Sequence, residues 1–110
     1  IQEFFIKSKE QKKKIVCYGA AAKGNTVLNY CKISKDHIDY VVDISPHKQG
    51  KYMPGTHIPI FSPEKIKETK PDYVVILAWN LKDEIVQQMN FINDWGGKFV
   101  VLIPEVKILN

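Results

Sequence analysis

Residues 72–79 read DYVVILAW, a run that is apolar almost throughout. A strand with one wet face alternates apolar and polar side chains. A strand this uniformly apolar is covered on both faces, the condition of a parallel sheet flanked by helices. KIVCYG at 14–19 and KFVVLIP at 98–104 have the same character, and IDYVVD at 38–43 is a further strand ending in an acid. HIPIF at 57–61 is a short extended piece. Pro59, which cannot donate to a ladder, places it at an edge.

Helical patterns lie between these strands. Leu81, Ile85, Met89, Ile92 and Trp95 form one stripe over 81–95, ended by Gly96 and Gly97. SPEKIKET at 62–69 opens with Ser62 as a cap, Pro63 in the first turn and Glu64 at the positive end of the helix dipole. Val27, Leu28 and Cys31 recur at helical spacing in 23–33, and Phe4, Phe5 and Ser8 share a face in 2–12. Residues 44–57 hold proline, glycine, histidine and lysine without periodicity and read as a loop. The order predicts a three-layer α/β domain, with a mostly parallel sheet of about five strands and helices on both faces. In such sheets ligands bind beyond the carboxyl ends of the strands, where the strand order switches.

Length and charge narrow the functional classes. A chain of 110 residues is one domain with one real core. No apolar run approaches the roughly 20 residues of a bilayer span, and no signal-peptide layout is present, so no membrane partner is expected. Cys17 in a strand and Cys31 on a helix face read as buried thiols of a reducing compartment, which points to the cytoplasm. No Cys/His cluster has zinc spacing, so no metal is expected. The net charge of +4 owes part of its excess to Lys12, Lys13 and Lys14, a solvated helix end. Aromatic stacking platforms are missing around it, so no nucleic-acid partner is expected. The positive balance suits a small anionic ligand. The chain opens at Ile1 directly into a helical pattern, which reads as a piece of a longer protein. Residues 1–13 are expected to be a linker helix from an upstream domain and 14–110 the domain proper.

The chemistry-bearing stretch is the turn after the first strand. Gly19, Ala21 and Gly24 occupy the three positions of G-x-G-x-x-G, with alanine in the middle. Gly19 makes the tight turn, Ala20, Ala21 and Ala22 keep side-chain bulk low, and Gly24 lets helix and strand approach. The amides of the helix N-terminus then face a phosphate. Lys23 adds charge at the rim, and Asn25 and Thr26 are placed for a phosphate or a cap. Asp43 ends the second strand, nineteen residues after Gly24, where dinucleotide-binding domains hold the acid that accepts from ribose hydroxyls. The competing reading is that the small residues only permit tight packing and that Asp43 caps the next turn. Alanine in place of the middle glycine disfavours an ordinary nicotinamide cofactor.

Two more segments reach the same rim. The loop after Asp43 brings Ser45 and Lys48, with Lys51 and Tyr52 read as solvated loop residues. The long apolar strand ends in Trp79 and Asn80, the first a flat ligand face or a core residue, the second a donor–acceptor pair. Glu84 reads as a surface acid, and Glu105 sits at the tip of the last strand. Taken alone, the turn also supports a freestanding Rossmann-like module for nicotinamide or coenzyme A. Exposed Phe4 or Phe5 would instead favour a structural or dimerisation domain.

IVCYGAAAKGNTVLNYC, IDYVVDISPHKQGKYMPGTHIPI and DYVVILAWNLKDEI together resemble the C-terminal domain of S-adenosylmethionine-dependent C-methyltransferases that act on nucleotide-linked deoxysugars. The likeness runs from about Lys14 to Val106. It implies a Rossmann-like fold and a parent enzyme with a zinc-binding module and a central methyltransferase domain upstream. The parent's reaction would be deprotonation of a carbon next to a ketone, then attack of the enolate on the sulfonium methyl. The donor would be held by the central domain, and no cofactor is expected in these residues. The catalytic base is not assignable here. The implied role of this chain is to orient the nucleotide-sugar at the Gly19–Asn25 turn, Asp43, Lys48 and the Trp79–Asn80 rim.

Overall fold

The computed structural model describes residues 1–109. Its elements are α1 (Gln2–Glu10), β1 (Ile15–Tyr18), α2 (Ala22–Tyr30), β2 (Val41–Val42), β3 (Ile60–Phe61), α3 (Lys65–Thr69), β4 (Tyr73–Ile76), α4 (Lys82–Gln88), β5 (Lys98–Val101) and β6 (Lys107–Leu109). Short 3-10 turns cover Trp79–Leu81 and Asn90–Trp95. The six strands form one sheet in the order β3-β2-β1-β4-β5-β6. The first five are parallel, and β6 closes one edge antiparallel to β5. Strand order reverses between β1 and β4, so the switch point lies beside the Gly19 turn.

Successive strand side chains point to opposite faces, and this divides the interior in two. Ile15, Cys17 and Val75 enter one cluster with Phe5, Leu28, Met53 and Ile58. Val16, Tyr18, Val74 and Ile76 enter the other with Ile66, Ile85 and Ile92. All four residues of β1 are buried, as a strand between two helical layers must be. Phe5 of α1 is fully buried, and Phe4 is half-buried with its ring edge-on to Phe5 and Tyr73. Neither phenylalanine is the exposed patch that a dimerisation surface would need.

The sheet matches the expected architecture, with differences that have physical causes. The strand at 107–109 was not anticipated: three residues with an exposed face carry no periodic signal. The helix expected over 81–95 is α-helical only to Gln88. Ile85 and Met89 are four apart, which suits 3.6 residues per turn. Met89, Ile92 and Trp95 are three apart, which suits the three residues per turn of the 3-10 geometry that follows. Trp95 is held there by donating its indole N–H to the Pro71 carbonyl at 2.9 Å. The strand expected at 72–79 ends at Ile76, and Trp79 begins a turn rather than closing the strand.

Candidate functional site

Gly19 has φ of +100°, and a β-carbon placed on it would lie 2.8 Å from the Ala78 Cβ. The first turn therefore requires glycine both for its backbone angle and for the approach of the segment after β4. At Gly24 the added carbon would lie 2.7 Å from the Leu77 Cβ, so α2 sits directly against the end of β4. Helix α2 starts at Ala22 with Ala21 as its N-cap and no side-chain capping bond.

Asp43 is turned back on its own chain. One carboxyl oxygen accepts from the Ala20 amide and the other from the Ser45 amide, both at 2.8 Å. Lys48 donates from Nζ to the Ala20 carbonyl at 2.9 Å, and the Gln49 side-chain amide donates to the Asp43 carbonyl at 2.7 Å. Ala20 is thus gripped at both its N–H and its carbonyl by the loop after β2. Of the two roles open to Asp43 in the sequence, the bonds formed are those of a turn cap, extended to the neighbouring turn. The Ala20 amide is engaged by this carboxylate.

Beside this clasp lies a cavity of about 400 Å³, between α2 and the segment 48–54. Its wall comprises Ala20, Ala21, Ala22, Asn25 and Thr26 on one side and Lys48, Lys51, Tyr52, Met53 and Pro54 on the other, with Ile60 at the base. Two lysines and no acid face it. Tyr52 is 64% exposed, and its backbone is set by a bridge to Pro59. Asn29 fastens the two walls together: its Nδ2 donates to the Asn25 carbonyl at 3.0 Å and to the Pro54 carbonyl at 3.2 Å.

Of the residues expected at the site, Ala20, Ala21, Ala22, Asn25 and Lys48 line this cavity. Gly19 and Gly24 shape the turn behind it. Lys23 is exposed on α2, and Ser45 serves the Asp43 clasp. Asp43 and Gly19 also border a smaller hollow of about 100 Å³ with Tyr18, Ile44, Leu81 and Glu84. Trp79 is half-buried and Asn80 exposed, and neither lines either cavity. The sequence reading passed over Met53, Pro54 and Ile60, and took Lys51 and Tyr52 as solvated. The return of this segment along α2 depends on the bond between Asn29 and Pro54, 25 residues apart, and on the pairing of β3 with β2, so no local pattern reveals it. Burial raises the Tyr18 phenol above its ordinary value of 10.0, and the Asp43 charge adds to this. The fully buried Cys17 thiol is pushed up by desolvation and is inert. Among the described residues no group of His, Cys, Asp and Glu could hold a metal ion, and no helix is long and apolar enough to cross a membrane.

Comparison with known proteins agrees with this architecture. A solved structure of UDP-D-quinovosamine 4-dehydrogenase from Vibrio fischeri superposes with a TM-score of 0.62 at 18% identity, covering 89% of this chain and 93% of that one. At that identity the likeness speaks for the Rossmann-type fold alone. The C-methyltransferase NovU of Streptomyces niveus is 39% identical over 98 residues. That match spans 89% of this chain but 23% of NovU. A family model for the C-methyltransferase C-terminal domain matches residues 1–104. The chain belongs to the C-methyltransferase C-terminal domain family.

Proposed function

We propose that this chain is the substrate-binding domain of a longer S-adenosylmethionine-dependent C-methyltransferase, and that its cavity holds a nucleotide-linked keto-deoxysugar. The observation that carries the reading is the cavity beside the Gly19–Asn25 turn. It combines Lys48, Lys51 and the uncapped start of α2 with an apolar floor of Met53 and Ile60 and the exposed ring of Tyr52. Lysines and helix amides suit a diphosphate, and an exposed aromatic ring suits a base. The engagement of both Asp43 oxygens with backbone amides favours this reading over a freestanding nicotinamide module.

The cavity does not suit the methyl donor. A sulfonium cation gains from carboxylates and loses beside two lysines, and no acid lines this wall. In the proposed assignment the donor and the catalytic base belong to an upstream domain, with residues 1–13 leading in from it, and the whole works in the cytoplasm. The contribution of this chain is to fix an anionic substrate in one orientation, which removes entropy from the barrier of the chemical step.

Calorimetric titration of the full-length polypeptide with UDP-glucose and dTDP-glucose tests this. Lys51→Ala is expected to weaken binding by about fivefold to tenfold and to flatten its dependence on salt. Equal affinity and equal salt dependence in wild type and variant would refute the assignment.

A further inference from the structure

We infer that Asn25 is a specificity-determining residue that accepts a hydrogen bond from the ligand in this cavity, a step that rests on the reading just proposed. Its Oδ1 is shielded from solvent and has no hydrogen-bond partner. Buried side-chain acceptors are nearly always paired, and leaving one unpaired costs folding free energy. An orphan that lines a cavity is therefore a cost carried for something that enters it.

Lys48, Lys51 and Tyr52 carry N–H or O–H donors in the wall, but none of them bonds to this oxygen. Thr26 spends its hydroxyl on the Ala22 carbonyl at 3.0 Å. Lys48 directs one N–H of its ammonium at the Ala20 carbonyl. Ala20, Ala21, Ala22, Met53, Pro54 and Ile60 have no side-chain donors. Asn29 ties Pro54 in the opposite wall to α2, and Gly55 packs against the Asn29 side chain. Any side chain at Gly55 would collide with Asn29. Two walls tied together beside an unpaired acceptor make a site for a neutral N–H or O–H. Among the described residues the other shielded and unpartnered atom is the indole nitrogen of Trp79, which does not line this cavity.

The ligand chemistry that fits is an anion that also presents such a donor. In a nucleotide-sugar the donor is a group of the nucleoside, its base imide or a ribose hydroxyl, or a hydroxyl of the sugar. Two ligands separate these sources: UDP carries the nucleoside without the sugar, and UDP-glucose adds it.

The experiment uses Asn25→Leu, similar in volume and without polar atoms, with Asn25→Ala as the second variant should leucine not be accommodated. Both are made in the full-length polypeptide and titrated with UDP and UDP-glucose beside a thermal melt. Affinity is expected to fall about tenfold, with the melting temperature equal to or above that of wild type. A loss for both ligands assigns the donor to the nucleoside, and a loss for UDP-glucose alone assigns it to the sugar. If wild type binds and the folded variants bind equally well, Asn25 has no such role and the inference is overturned. If wild type binds neither ligand, the cavity assignment itself falls and takes the inference with it.

Discussion

Gly24→Ala probes the close approach of α2 to the end of β4. The new β-carbon would stand 2.7 Å from the Leu77 Cβ and 3.2 and 3.3 Å from its Cγ and Cδ2. Leu77 is 1% exposed and sits in the core cluster with Leu28 and Val75, so it has little room to withdraw. Overpacking of this kind costs about 1–3 kcal/mol. Alanine for glycine within a helix returns up to about 1 kcal/mol, less in a first turn. The net loss is therefore about 1–2 kcal/mol, a fall of about 4–9 °C in melting temperature for a chain of this length. Urea denaturation and calorimetry measure it directly. Leu77→Ala alone should cost about 2–5 kcal/mol through its cavity, and the double variant should cost clearly less than the two added together. A Gly24→Ala variant as stable as wild type, or strict additivity with Leu77→Ala, would show that this glycine does not set the distance between α2 and β4.

The Asp43 clasp and the buried phenols yield further expectations. Asp43→Ala strands the Ala20 and Ser45 amides and should cost about 2–3 kcal/mol in urea denaturation. An unchanged denaturation midpoint would mean that water replaces the carboxylate at no cost. The Tyr40 phenol is raised above 10.0 chiefly by burial, with its Thr69 hydrogen bond lowering it and Asp39 and Glu68 raising it further, and Tyr18 is raised by burial and by Asp43. A folded-state value above the unfolded one contributes stability that is complete below pH 10 and is lost as pH climbs through the folded-state values. Denaturation midpoints should therefore hold from pH 8 to about pH 10 and fall beyond it, and Tyr40→Phe should shallow the fall. A slope identical in the variant would exclude Tyr40 as a contributor.

The layers of the fold were legible because burial on two faces leaves a mark on sequence. The runs at 15–18, 73–76 and 98–101 are apolar at every or nearly every position. The turn was legible because Gly19 and Gly24 answer to sterics that no other residue meets. Beyond these, long-range geometry decided the outcome. Asp43 stands where a ribose-binding acid is expected, yet its spacing cannot tell whether the carboxylate meets a ligand or the Ala20 amide. Tyr52 and Met53 are neighbours in a stretch with no period. One is exposed over the cavity and the other is 2% exposed in the core, a division made by the Tyr52–Pro59 bridge. Trp79 offered a flat face at the end of an apolar run, but the strand ends three residues earlier and Trp79 begins a turn that does not line the cavity.

The pairing of β1 with β4 sets a schedule for how the domain comes into being. Ile15 lies beside Tyr73, and Lys14 already bonds to Asp72 across 58 residues. Gly19 finds its neighbour only when Ala78 arrives. During synthesis the first strand, though made early, must wait without its central partner until most of the chain has left the ribosome. The turn beside the cavity thus sets only after β4 is made, and a nascent chain stalled before residue 73 should present it unformed to chaperones and proteases.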